Sequence, residues 1–185
     1  MDVLYGNAAS LTEPVFQELG KYRRDIFIEK LGWELALTND LELDQFDRQD
    51  TIYVLARDEN RQVIGCARLL PTTSPYLLGE IFPNLLNGLL PPSSTDVWEL
   101  SRFAATGDAG HGSCSGPQHP SKLALEILNV AADYARRQGA KRLITVSPIG
   151  MERLLQKTGF HTHRAGPPIL VAGHPTVACW IEIDG

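Results

Sequence analysis

Apolar positions along the chain recur first at helical and then at strand spacing, and each change of period marks an element. Val15, Leu19, Tyr22 and Ile26 return every three to four residues, the stripe of an amphipathic helix. Ser10 and Glu13 have capping-box spacing and Pro14 falls in the first turn, so the pattern predicts a helix from about residue 12 to Leu31, stopped by Gly32. Residues 34–51 are acidic and aperiodic and are expected to be irregular, lying over another part of the protein. Thr51–Arg57 (TIYVLAR) and Gln62–Leu70 (QVIGCARLL) are β-rich runs joined by Asp58-Glu59-Asn60-Arg61, a predicted hairpin. Prolines at 71, 75, 83, 91 and 92 predict loops with one short helical piece near Leu77–Leu86.

Val97–Ala104 (VWELSRFA) is predicted as a strand, with Glu99 and Arg102 on opposite faces unless a bulge intervenes. Leu123, Ile127, Val130, Ala131 and Tyr134 define a helix over Ser121–Gln138, closed by Gly139. Lys141–Ser147 is a short apolar strand, Gly150–Thr158 a further helix and Thr176–Ile183 a final strand. This order predicts an α/β fold in a single domain over residues 1–185, an α-β-α sandwich with a mixed central sheet.

Composition narrows the function classes. The 185 residues are 43% hydrophobic and 21% charged, enough for one substantial core. A net charge of −5 without a long basic run gives no nucleic-acid footprint and argues against a membrane surface. Three widely spaced cysteines, Cys66, Cys114 and Cys179, fit a reducing compartment better than a disulfide framework. The start, MDVLYGNAAS, lacks the features of a signal peptide, and no apolar run approaches a membrane span, so a cytoplasmic location is expected. His111, Cys114, His119, His161 and His163 match no zinc spacing, and no metal is expected. Thr106–Pro120 is a Gly/Ser/His loop, suited to a gate or to a mobile connection.

The chemistry concentrates in Tyr22–Asp47. Arg23, Phe27, Lys30 and Trp33 follow one another by four, three and three residues, which on a helix makes a stripe of alternating cations and rings. Taken alone, it fits either the wall of a site or solvated cations over half-buried rings. Glu42, Asp44 and Asp47 follow in E-x-D-x-F-D. Together these segments resemble the signature of the acyl-homoserine-lactone synthases, the autoinducer synthases of bacterial quorum sensing. The resemblance extends to Arg68 in GCARLLP and to Glu99 and Arg102 in WELSRF, and it is best over residues 20 to 105.

That resemblance implies a GNAT-like N-acyltransferase fold and a reaction between S-adenosylmethionine and an acyl thioester, usually on an acyl carrier protein, with coenzyme A as the other donor. Amide formation and lactone closure would release methylthioadenosine, with S-adenosylmethionine a substrate and no cofactor. Glu99 is the candidate general base, with Arg102 beside it; Ser101 contacts the thioester or caps a local turn. Asp44, Asp47 and Trp33 suit a cationic substrate, and Arg23, Arg68 and Arg102 would organise the acids. Phe27 and Phe103 join the substrate-binding set, and Thr145 matches a position that favours 3-oxo acyl chains. An acidic carrier would need a basic surface, for which Arg136, Arg137, Lys141, Arg142, Arg153 and Lys157 are candidates. The rivals are an acyltransferase using acyl-CoA and another amine, whose phosphate-cradling R-x-x-G-x-G pattern is missing before residue 121, and a non-catalytic metabolite-binding module.

Overall fold

Ser10 turns back rather than forward: its N–H donates to the Asn7 side chain and its hydroxyl to the Asn7 carbonyl. The expected capping box therefore does not form, and helix α1 (Glu13–Arg23) starts from Thr12 without a side-chain cap, Pro14 in its first turn. In the computed structural model, which describes residues 1–106, 122–157 and 159–184, α1 follows strand β1 (Asp2–Asn7). It continues through Arg24–Lys30 as a π-helical segment, where the Leu31 N–H reaches the Ile26 carbonyl five residues back. The wider turn alters the 3.6-residue stripe. Arg23 and Phe27 are buried, so Arg23 is not a solvated cation, whereas Lys30 is exposed and leaves the set.

Residues 34–51, expected to be irregular, contain a small hairpin, β2 (Leu37–Thr38) with β3 (Leu41–Glu42). Then come β4 (Ile52–Arg57), β5 (Val63–Pro71), α2 (Leu77–Ile81) and a 3-10 turn at Pro83–Leu86, close to the pattern. Strand β6 (Val97–Ala105), α3 (Lys122–Arg137), β7 (Arg142–Pro148) and α4 (Ile149–Lys157) also follow expectation. Strand β1 was not foreseen, nor were the short strands β8 (His161–Arg164) and β9 (Ile169–Val171), which both pair with β10 (His174–Glu182). The polar sequence of β8 carries no apolar alternation.

Packing divides the chain into two compact units, Met1–Arg68 with Arg102–Val130, and Leu69–Ser101 with Ala131–Gly185. In the first, β1 runs antiparallel to β4 from Asp2↔Arg57 to Asn7↔Ile52. Its core joins Leu11, Leu19, Ile26, Phe27, Tyr53, Leu55, Cys66 and Ala104. In the second, β6 pairs with β7 in parallel from Val97↔Arg142 to Leu100↔Thr145, and β7 pairs with β10 antiparallel. The pairing is thus mixed and mostly antiparallel, as an α/β fold of this order requires. Among the described residues no helix is long and apolar enough to cross a membrane.

Candidate active site

Gly20 sets the first unit's site. A Cβ there would lie 2.8 Å from the Leu41 Cβ, so the absence of a side chain lets the β2–β3 hairpin lie directly on α1. That contact carries Glu42 to Arg23, one helical turn further on. Arg23 Nε donates to Glu42 Oε2 at 2.5 Å, and Nη1 and Nη2 donate to the two oxygens of Asp47 at 2.7 and 3.0 Å. Arg68 Nη1 reaches Asp44 Oδ1 at 2.6 Å and Asp47 Oδ2 at 3.2 Å. Arg102 Nη2 closes the circuit on Glu42 Oε1 and Asp44 Oδ2, both at 2.9 Å. Three cations and three carboxylates therefore form one buried network.

The loop holds its acids by its own backbone. The Asp44 N–H donates to Asp47 Oδ2 at 2.7 Å, the Phe46 N–H to Asp44 Oδ1 at 2.9 Å, and the Tyr53 hydroxyl to Asp47 Oδ1 at 3.0 Å. Burial opposes the charges of Arg23, Arg68, Asp47 and Glu42, and their partners outweigh it. It disfavours charged Arg23, yet Asp47 and Glu42 raise its pKa. It likewise works against ionised Asp47 and Glu42, but Arg23 with Arg68, and Arg23 with Arg102, hold both below the usual carboxylate range. Burial, and then Asp47, push the Tyr53 hydroxyl well above its ordinary value. Asp47 is 3% exposed and Asp44 14%, so Asp44 is the acid of the pair that faces outward. Both border an open depression of about 500 Å3, with Phe16 and Leu43.

The rings complete this unit. Phe27 and Trp33 stack with centroids 5.1 Å apart, and the Arg102 guanidinium lies 5.7 Å from the Phe27 centroid. Arg68 is fully buried, which a charge inside an apolar strand does not announce. Arg102 has φ of 51°, a left-handed conformation in mid-strand. Its carbonyl accepts from the Cys66 thiol at 3.1 Å, and burial pushes that thiol up to about 12. Phe103 is half-buried. Sequence reasoning assigned no role to Glu42, although it opens the E-x-D-x-F-D pattern, and it missed Tyr53, whose aliphatic strand carries no signal of a polar contact.

The second unit holds the other candidates. Glu99 is fully buried, and its oxygens accept from the Leu77 N–H at 3.0 Å and the Leu78 N–H at 2.7 Å. It thereby caps α2, a role its place in a strand did not suggest. Ser101 and Thr145 are buried, and Thr145 Oγ1 lies 3.2 Å from Ser147 Oγ. Among the described residues no three metal-ligating side chains converge; His111, Cys114 and His119, with the loop that holds them, lie outside those residues.

A mixed α/β sheet of this order is the fold of the N-acyltransferases. An acyl-CoA N-acyltransferase from Pseudomonas aeruginosa shares it with a TM-score of 0.65 at 15% identity, over 97% of this chain and 99% of that one. Within that class, the autoinducer synthase family model matches residues 7–184. The acyl-homoserine-lactone synthase of Acinetobacter nosocomialis is 48% identical over 99% of this chain and 100% of its own length. TofI, crystallised with an inhibitor and MTA, is 45% identical with a TM-score of 0.85, over 99% of this chain and 92% of that one. The CoA-dependent acyl-homoserine lactone synthase BjaI, crystallised with SAM and isopentyl-CoA, is 29% identical with a TM-score of 0.85, over 98% of this chain and 82% of that one. The chain belongs to the autoinducer synthase family, and it is an enzyme of the acyl-homoserine-lactone synthase kind.

Proposed function

We propose that the protein makes an N-acyl-L-homoserine lactone from S-adenosylmethionine and an acyl thioester. The amine nitrogen bonds to the thioester carbon, the carbon–sulfur bond breaks, and the thiol leaves. The substrate carboxylate then attacks the carbon bound to the sulfonium, and methylthioadenosine leaves as a neutral thioether. The observation that carries this reading is the full-length likeness to TofI, which binds MTA in its crystal.

Each residue has a part. Glu99 takes the proton that the amine must lose. Asp44, the outward acid, and Trp33, backed by Phe27, receive the sulfonium and ammonium charges. Asp47, Arg23, Arg68 and Arg102 hold Asp44 in place. Ser101, Phe103 and Thr145 contact the thioester and its chain. Ring closure is intramolecular and needs positioning alone, so neither a cofactor nor a metal is required. The donor is an acyl carrier protein in the cytoplasm; the CoA dependence of BjaI is what makes acyl-CoA the rival.

The test is to incubate the purified protein with S-adenosylmethionine and an acyl carrier protein or acyl-CoA donor, following lactone and methylthioadenosine by mass spectrometry. Equal amounts of both products are expected. Thioester consumption without methylthioadenosine would favour a plain acyltransferase that uses another amine.

A further inference from the structure

Strand β7 carries two hydroxyls among buried apolar neighbours. Thr145 Oγ1 and Ser147 Oγ are 3.2 Å apart, and each residue is 5% exposed. Their cross-strand partners are Cys179 and Val177 on β10 and, for Thr145, Leu100 on β6, all buried. Each hydroxyl brings one hydrogen and two lone pairs. Their mutual bond uses one of the pair's two hydrogens, and among the described residues neither oxygen has another partner. One buried O–H is therefore left without an acceptor among the described residues.

We propose that Ser147 is a second specificity-determining residue: Thr145 and Ser147 work as one two-hydroxyl reader that offers its spare hydrogen to an acceptor oxygen on the acyl chain, such as a 3-oxo group. This rests on the proposed contact between Thr145 and the acyl chain. In the bound state Ser147 donates to Thr145, and Thr145 donates to the substrate oxygen, each bond polarising the next. An unsubstituted chain leaves the second hydrogen idle. Without Ser147, the Thr145 hydroxyl loses both its orientation and that reinforcement, and discrimination falls.

The experiment offers 3-oxo and unsubstituted acyl donors of one chain length in the same tube and reads the product ratio by mass spectrometry. That ratio comes from active molecules alone, so partial unfolding of a variant does not alter it. Ser147→Ala should lower the 3-oxo to unsubstituted ratio about threefold, a modest bias for one hydroxyl. Thr145→Val should lower it further, and the double variant should match Thr145→Val, because a chain of two bonds is already broken by losing its second link. Ser147→Thr, which keeps a hydroxyl at this position, should leave the ratio near that of the unmodified protein. An unchanged ratio in Ser147→Ala, or effects that add in the double variant, would overturn the paired reader. An unchanged ratio in Thr145→Val would overturn the acyl contact itself.

Discussion

Arg23 grips Asp47 with both ends of its guanidinium, at 2.7 and 3.0 Å, while its Nε turns to Glu42 at 2.5 Å. All three groups are buried, so each charge depends on the others for solvation. Asp47→Asn removes one partner and leaves cations uncompensated, which should cost about 3–5 kcal/mol in denaturant unfolding. Arg23→Lys should also destabilise, since an ammonium cannot make the forked contact. Asp44→Asn, at the more exposed acid, should cost less stability and lose more affinity for S-adenosylmethionine, read by calorimetry. Equal stability losses at 44 and 47 with unchanged affinity would remove Asp44 from the substrate site.

The same network sets a pH dependence. Asp47 and Glu42 have folded pKa values below their unfolded ones, so the unfolded chain binds more protons as acid is added. Their contribution is complete above the unfolded carboxylate range, about pH 4, and declines as pH falls through their folded values. Tyr53 acts at the other end: its folded pKa is raised, so stability declines once pH passes the free phenol value of about 10. Denaturation midpoints should rise from pH 3 to about pH 5 and then level off, and Asp47→Asn should flatten that rise. An unaltered slope in the variant would mean that other acids control it.

Much of this site is legible in the sequence. Arg23, Phe27, Trp33, Asp44, Asp47, Arg68 and Arg102 were singled out by pattern, and the structure brings them together within the first unit. What escaped depends on geometry that residue spacing does not encode. The π-helical segment moves Lys30 out of the stripe, because a 3.6-residue count assumes an uninterrupted α-helix. The capping box does not form because the helix starts at Glu13 from Thr12, which leaves Ser10 outside the first turn with its hydroxyl donating to the Asn7 carbonyl. Burial of Arg68 could not be told from exposure, since a strand pattern does not say whether both faces are covered. The capping of α2 by Glu99 joins residues 21 and 22 apart in the chain, beyond any local signature.

Glu99 therefore has two parts that one substitution can separate. Glu99→Gln keeps the shape but offers one acceptor oxygen and an amide that cannot take a proton. If Glu99 is the base, turnover should fall roughly 100- to 10,000-fold while S-adenosylmethionine still binds. The loss of one buried acceptor for α2 should also lower stability by about 1–3 kcal/mol. Near-normal turnover together with that stability loss would show that Glu99 only caps the helix.

Surface charge offers a test of the acyl donor. A protein of net charge −5 that docks an acidic carrier needs a local basic face, and the candidates are not equivalent. Arg136 donates from Nε to the Ile183 carbonyl at 2.8 Å and pairs with Asp133, and Lys141 pairs with Asp96 at 3.2 Å. Reversing either would disturb a local contact as well as the field. Arg137 and Arg153 are both exposed, so Arg137→Glu with Arg153→Glu reverses charge at the surface. If a carrier protein is the donor, this double variant should raise its apparent KM severalfold and make that KM less sensitive to salt, because a steering attraction has been removed. Turnover at saturating donor should change little, since neither residue belongs to the proposed chemistry. With acyl-CoA the same variant should behave like the unmodified enzyme. Unchanged KM for the carrier, beside efficient turnover of acyl-CoA, would assign the protein to the CoA-dependent branch that BjaI represents.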